Sequence, residues 1–216
     1  AGDWGIEVGD VKHNWEKVIG RSRGVASTLN KGVGFLFKKH KITHFTGHAY
    51  IPAAGKVNVY AADDVEHKGK PTAELTGKKI MIATGAVPRP LPGTPFDGNK
   101  VIAAKQAMTL TDQPKKLLIV GSGAIGMEFA YFYNAFGTEC TVVEMLDRVM
   151  PIEDADSSKQ VQKAFKKQGI KVLTSHVTKK IEVTKTGIKA LIAPAEAASA
   201  AGSSKDKTQE IEADKV

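Results

Sequence analysis

Apolar residues at Val11, Trp15, Val18, Val25, Leu29, Val33, Leu36 and Phe37 recur in steps of three and four, with Ser22 as the exception. That period predicts a helix from Val11 to about His40, with Asp10 as its N-cap. Gly20, Gly24, Gly32 and Gly34 each lower propensity by up to ~1 kcal/mol relative to Ala, so a core helix held by burial is expected. Its polar face mixes both charges, which argues against a membrane-surface helix. From Ile42 to Val65 the pattern becomes short strands, ITHFTGHAYI and KVNVYAA around a Pro-Ala-Ala-Gly turn, with a further strand expected from Lys78 to Ala83. This is the pattern of a small antiparallel β-meander. The stretch AVPRPLPGTPFDG holds Pro88, Pro90, Pro92 and Pro95 and reads as an irregular connector near a domain boundary.

Beyond it the texture alternates between strand and helix. KKLLIV (Lys115–Val120) is a continuous apolar run, as expected of a strand buried on both faces. A helix is predicted from Ala124 to Phe136, a strand from Glu139 to Glu144, and a helix from Ser157 to Gln168 with Gly169 beyond its C-terminus. A strand at Ile170–Leu173 follows. Short connections between these elements imply a right-handed parallel sheet. The tail from Lys180 to Val216 reads as antiparallel strands around a small-residue loop, PAEAASAAGSSKDK, expected to be a mobile surface insertion. Two domains are expected, residues 1–113 (helix, meander and connector) and 114–216 (the α/β part).

Composition narrows the function classes. At 216 residues, 42% hydrophobic and 25% charged, the chain is neither disordered nor fibrous. No apolar run approaches the ~20 residues of a membrane span, and no secretory signal is visible at the start. A single cysteine, Cys140, excludes an intrachain disulfide and a Cys-rich metal site, and fits a reducing compartment. It reads as a small core residue. The net charge of +8 raises a nucleic-acid or anionic-membrane partner. Its lysines, however, are scattered as pairs rather than gathered into a patch, so neither partner is expected. Of the six histidines, His44 and His48 flank a strand without further ligands, and no metal is expected.

The chemistry is concentrated in GSGAIG, with Gly121, Gly123 and Gly126 directly after the buried strand and opening a helix. In that context the three glycines serve a tight turn, close backbone approach to a pyrophosphate, and close helix–strand packing. The phosphate charge then sits on free N–H groups at a helix N-terminus. Glu144, ending the next strand, is the carboxylate expected to accept from two hydroxyls of an adenosine ribose, and it would repel a 2′-phosphate. NAD is therefore favoured over NADP, with Arg148 the residue that leaves NADP open. Glu128, in the first turn of the helix, is either a dipole-favoured surface acid or a residue near the nicotinamide. The run IMIATGAVPRPLPG ends a strand in Ala83-Thr84-Gly85, a small-residue turn where backbone can approach a ligand.

With these motifs in view, the chain resembles the middle of the pyridine-nucleotide disulfide oxidoreductases, flavoproteins that bind two dinucleotides. The likeness covers nearly the whole chain. It is carried by LNKGVGFLFKKHKI, FTGHAYI, the IATG strand end, LLIVGSGAIGMEFAYFYNAFGTECTVVEMLDRVMP and GIKVLTSHVTKKIEV. It implies an α/β fold: a Rossmann-type NAD-binding domain with a parallel sheet plus an antiparallel meander, preceded by a partial FAD-binding domain. Gly47 and Ala49 are implied to lie near the FAD adenine, and Ala83, Thr84 and Gly85 to line the FAD. Gly121, Ser122, Gly123, Ala124, Ile125, Gly126, Glu128, Glu144 and Val177 are implied to bind NAD.

In the intact family enzyme a dithiol, here dihydrolipoamide or a lipoyl domain, reduces a disulfide. The dithiol so formed reduces FAD, and the flavin passes hydride to NAD⁺. A homodimer is implied, in the cytoplasm or, in a eukaryote, the mitochondrial matrix. The family's N-terminal FAD fingerprint, redox cysteine pair and C-terminal domain with the catalytic His are absent from this sequence. No catalytic residue is therefore assigned, and the chain reads as a central fragment truncated in its NAD domain. The rival readings are a sibling flavin disulfide reductase or transhydrogenase, and a non-catalytic nucleotide-binding module.

Overall fold

The computed structural model describes residues 9–195 and 208–216. The expected small-residue loop at 194–207 falls almost wholly outside them. The chain forms two compact units: Gly24–Val87, and the described residues up to Arg23 together with Pro88–Val216.

The long helix α1 spans Trp15–Lys39. It starts later than Val11 because Asn14, not Asp10, caps it: the Lys17 N–H donates to Asn14 Oδ1 at 2.9 Å. Glu16 in its first turn and Lys38 and Lys39 in its last complement the helix dipole. The expectation of a core helix fails. Only Trp15 and Ile19 are buried, while Val25, Leu29 and Val33 are 51%, 68% and 48% exposed. The apolar stripe is present in the sequence, but beyond Ile19 most of it is exposed among the described residues; Phe37, beside the His44 ring, is half-buried.

In the unit Gly24–Val87, β1 (His48–Ala53), β2 (Lys56–Tyr60) and β3 (Ala73–Thr76) form an antiparallel sheet in that order. Gly55, at φ +73°, makes the β1–β2 turn. The expected strand Lys78–Ala83 does not form; this stretch has no regular structure, with Met81 90% and Ile82 71% exposed. A strand exists only through a partner, and among the described residues none pairs with it. The third strand is the alternating AELT, paired with β2 from Lys56↔Thr76 to Val59↔Ala73.

The other unit is layered. Strands β4 (Lys116–Val120), β5 (Glu139–Val143) and β6 (Lys171–Leu173) form a parallel sheet in that order, connected by α3 (Ala124–Ala135) and α4 (Ala155–Lys167). Gly169 takes φ +81° beyond α4, as a helix C-terminus favours. Because alternate strand residues face opposite ways, Leu117 and Val142 join Met127, Ala130, Tyr133 and Phe165 on the helix side. Their neighbours Leu118 and Val143 pack on the other side against Ile188, Ala190 and Ile192. Those three belong to an antiparallel sheet of β7 (His176–Val183), β8 (Ile188–Pro194) and β9 (Gln209–Ala213). Trp15 closes the helix side against Phe132, Tyr133 and Phe136, and its indole N–H donates to Leu110 O at 2.9 Å. The short helix α2 (Ala104–Ala107) is tied in by the Tyr133 hydroxyl, which donates to Ala107 O at 2.6 Å. The C-terminal residues run beside β4: Leu118 N–H donates to Lys215 O, and Ile102 N–H to Val216 O.

Candidate functional site

Strand β4 ends in a turn whose three glycines do different work. Gly121 adopts φ +99°, and its N–H donates to Val143 O at 2.8 Å, closing the turn against β5. At Gly126 a Cβ would stand 2.3 Å from Gly121 O and 3.3 Å from Ile119 Cγ2, so glycine there lets α3 meet β4. At Gly123 a Cβ would meet nothing within 4 Å. Gly123 is the N-cap of α3 and no side chain among the described residues caps the helix, so its first amides remain as donors at an open turn.

A cavity of about 560 Å³ opens beside this turn. Gly121, Gly123, Ala124, Ile125 and Gly126 line one wall, and residues of the connector, among them Pro88, Arg89 and Phe96, line another. Val101–Ala104 and Phe129 contribute further apolar surface. By its sequence the connector is only an irregular boundary segment. It reaches the cavity through long-range pairing just beyond it, where Ile102 N–H donates to Val216 O and Val216 N–H to Lys100 O, and no local signal announces that.

Glu144 stands just past β5, is 8% exposed, and does not line the cavity. Its Oε2 accepts both the Ser122 N–H and the Ser122 hydroxyl, each at 2.8 Å, and its Oε1 accepts the Leu146 N–H at 2.9 Å. Ser122 is fully buried. The protein thus fills three of about four acceptor positions on the carboxylate, leaving one on Oε1. The loop after Glu144 is held at both ends: Met150 N–H donates to Ser122 O, and Ser175 N–H to Leu146 O. Met150 and Ser175 both sit at positive φ, +46° and +54°. Backbone strain of this kind persists where the surroundings over-determine it and gathers at functional sites.

The backbone also carries Val177 to this end of the sheet. Glu144 N–H donates to Leu173 O, and the N–H of His176, next to Val177, donates to Glu144 O. Val177 pairs with Ala193 and is half-buried. Glu128 lies exposed on α3. The Arg148 guanidinium donates to Pro151 O at 3.1 Å, within its own loop. Ser122, Gly121–Gly126, Glu144 and Val177 are therefore gathered at one end of one parallel sheet.

The remaining expected residues lie in the unit Gly24–Val87. Gly47, at φ +154°, precedes β1, and a Cβ there would stand 2.0 Å from Tyr60 O; strand packing alone accounts for this glycine. Ala49 pairs with Val59 and is exposed. Ala83, Thr84 and Gly85 lie in exposed backbone without regular structure, Gly85 at φ +79° with open space around it.

Thiol chemistry has little to draw on. Cys140 is buried in β5 and 1% exposed, and burial, with the neighbouring Glu139 charge, pushes its pKa up to about 12. Among the described residues no group of three or more His, Cys, Asp or Glu is placed to hold a metal ion.

A family model described as pyridine nucleotide-disulphide oxidoreductase matches residues 6–216. A dihydrolipoyl dehydrogenase of Rhizobium etli is 41% identical over 191 residues, covering 83% of this chain and 39% of the relative. The Bacillus subtilis enzyme of that name is 36% identical over 193 residues, and that of Mycobacterium leprae 37% over 209. The chain spans about two fifths of the length of these relatives. Among solved structures, LpdA from Mycobacterium tuberculosis superposes with a TM-score of 0.74 over 96% of this chain and 42% of its own, at 24% identity. The HOCl-induced flavoprotein disulfide reductase RclA from Escherichia coli gives 0.70 over 94% and 42%, also at 24% identity. These likenesses establish the fold: mixed α/β with one parallel and further antiparallel sheets, as in flavoprotein disulfide reductases.

Proposed function

The chain belongs to the pyridine nucleotide-disulphide oxidoreductase family, and from that premise we propose that its glycine turn is the NAD(H) site of a dihydrolipoamide dehydrogenase. The observation that carries this reading is the contrast within the turn: Gly126 is blocked by backbone, while Gly123 faces open space at an uncapped helix N-terminus. Only the first contrast is needed for packing. The second fits a pyrophosphate approaching the backbone and accepting from the first amides of α3.

In this reading Ser122, Ala124 and Ile125 complete the turn, and Glu144 receives a hydroxyl of the adenosine ribose on the acceptor position left at Oε1. Val177 bounds the site at the start of β7, and Glu128 stands on the helix beyond the turn. The buried carboxylate disfavours a 2′-phosphate, so the cofactor is NAD. When bound, NAD supplies two-electron hydride exchange; the residues of this chain hold and orient it. Residues 114–216 form this NAD domain. Residues 1–113 belong to an FAD domain, with Gly47 and Ala49 toward the adenine and Ala83, Thr84 and Gly85 along the flavin nucleotide. In the full-length enzyme the electrons come from dihydrolipoamide or a lipoyl domain through a disulfide, and the enzyme works as a homodimer in the cytoplasm or mitochondrial matrix. No helix of the described residues is long and apolar enough to cross a membrane.

One observation favours a narrower reading for this chain alone. Its single cysteine is buried, so by itself it binds nucleotide without dithiol chemistry. The test is Glu144→Ala in an NADH titration followed by nucleotide fluorescence. The expected loss is ~1–3 kcal/mol from a charge-assisted hydrogen bond. Unchanged affinity in a folded variant removes the ribose assignment.

A further inference from the structure

A carboxylate that recognises a ribose hydroxyl is useful only if its orientation is fixed before the ligand arrives. A glutamate has three side-chain torsions, and its own backbone fixes none of them. At Glu144 the protein supplies three donors to the carboxylate, and two come from one residue. The Ser122 N–H and hydroxyl converge on Oε2 at 2.8 Å each, and the Leu146 N–H holds Oε1 at 2.9 Å. Ser122 sits between Gly121 and Gly123 of the phosphate turn, is fully buried, and has both its donors committed to Glu144. Its carbonyl is committed as well, accepting the Met150 N–H at 2.9 Å from the far end of the Glu144 loop.

We propose that Ser122 is a positioning residue: its hydroxyl locks the Glu144 carboxylate so that Oε1 presents its remaining acceptor position to the adenosine ribose. This couples the pyrophosphate turn to ribose recognition, and it rests on the NAD reading of the site. The backbone alone does not accomplish it. Any residue but proline at 122 supplies the N–H, and only a side chain with a donor supplies the second bond that fixes the carboxylate plane. Alanine at 122 leaves no orphaned acceptor, because Oε2 keeps the amide, so the substitution loosens Glu144 without emptying the core.

The test is a double-mutant cycle on NADH binding to the 216-residue chain: wild type, Ser122→Ala, Glu144→Ala and the double variant, each with its thermal midpoint measured by circular dichroism. Ser122→Ala is expected to raise the NADH Kd roughly fivefold in the wild-type background, the effect of one hydrogen bond. In the Glu144→Ala background the same change is expected to move Kd by less than about twofold. If the alanine variant does not fold, the near-isosteric Ser122→Cys, whose thiol is only a weak donor, enters the same cycle with a smaller loss, roughly twofold, expected in the wild-type background and none in the Glu144→Ala background. An unchanged Kd for Ser122→Ala, or an equal loss in both backgrounds, overturns the positioning role while leaving the ribose reading intact. Glu144→Ala binding NADH like wild type overturns both, so the two failures are told apart.

Discussion

Replacing Gly126 by Ala adds one methyl group and should separate packing from ligand binding. Its Cβ would stand 2.3 Å from Gly121 O, where no heavy atom fits, and 3.3 Å from Ile119 Cγ2. The isoleucine methyl can give by a few tenths of an ångström. The carbonyl cannot, because Gly121 is tied to Val143 O through its own N–H and its φ of +99° leaves no easy rotation. Either α3 backs off β4 or the turn opens, an overpacking cost of ~1–3 kcal/mol. At ~2–4 °C per kcal/mol for a chain of this size, the midpoint should fall by roughly 3–10 °C. Gly123→Ala is the matched control. With φ −66° and ψ 172° its backbone suits alanine, and its Cβ meets nothing within 4 Å. Losing glycine at an N-cap costs a few tenths of a kcal/mol, and stiffening the unfolded chain returns a similar amount. Its midpoint should therefore stay within about 2 °C of wild type, while its methyl group obstructs the pyrophosphate and weakens NADH binding. Differential scanning calorimetry and an NADH titration on both variants make the comparison. The reasoning is refuted if Gly126→Ala melts with wild type, or if Gly123→Ala keeps both stability and affinity.

Cys140, its pKa pushed up to about 12, carries almost no thiolate at pH 8. The folded chain should resist iodoacetamide for hours and label fully in denaturant, and rapid labelling of folded chain would contradict the burial. Trp15→Ala should cost ~3–5 kcal/mol by removing a ring packed on Phe132, Tyr133 and Phe136, read from urea unfolding of this unit. Burial pushes Asp97 up, but the N–H groups of Asn99, Val101 and Lys100, with the Lys100 charge, together outweigh it and leave its pKa below the ordinary value. Its contribution is thus present above about pH 4 and lost as pH falls through the folded value. Asp97→Ala should destabilise by about 0.5–1 kcal/mol at pH 7, and the gap to wild type should narrow below pH 4.

The parallel sheet was legible because its signals are local. LLIV and CTVV are apolar runs of strand length, bounded by turn residues, as buried strands are, and the glycines between strand and helix have few other uses. The helix α1 was legible as a helix but not as an exposed one, because periodicity reports which residues share a face and not whether anything covers that face. Lys78–Ala83 failed for a related reason: ITHFTGHAYI and KVNVYAA found partners in each other and in AELT, whereas the apolar run KKIMIA found none. Within the site, Gly121, Gly126 and Glu144 could be read from spacing. The convergence of Ser122 and Leu146 on Glu144 could not, because it depends on a loop folded back by Met150 and Ser175 at positive φ. The connector's place on the cavity wall depends in turn on long-range pairing just beyond it, where Val216 exchanges backbone hydrogen bonds with Lys100 and Ile102.

The central claim, that the glycine turn with Glu144 is built for NAD(H), is tested most directly by titrating the folded chain with NADH and NADPH under identical conditions. The account predicts saturable NADH binding at one site, with NADPH at least about tenfold weaker because its 2′-phosphate meets a buried carboxylate. Absence of saturable NADH binding to folded chain, or NADPH binding as tightly as NADH, would contradict it.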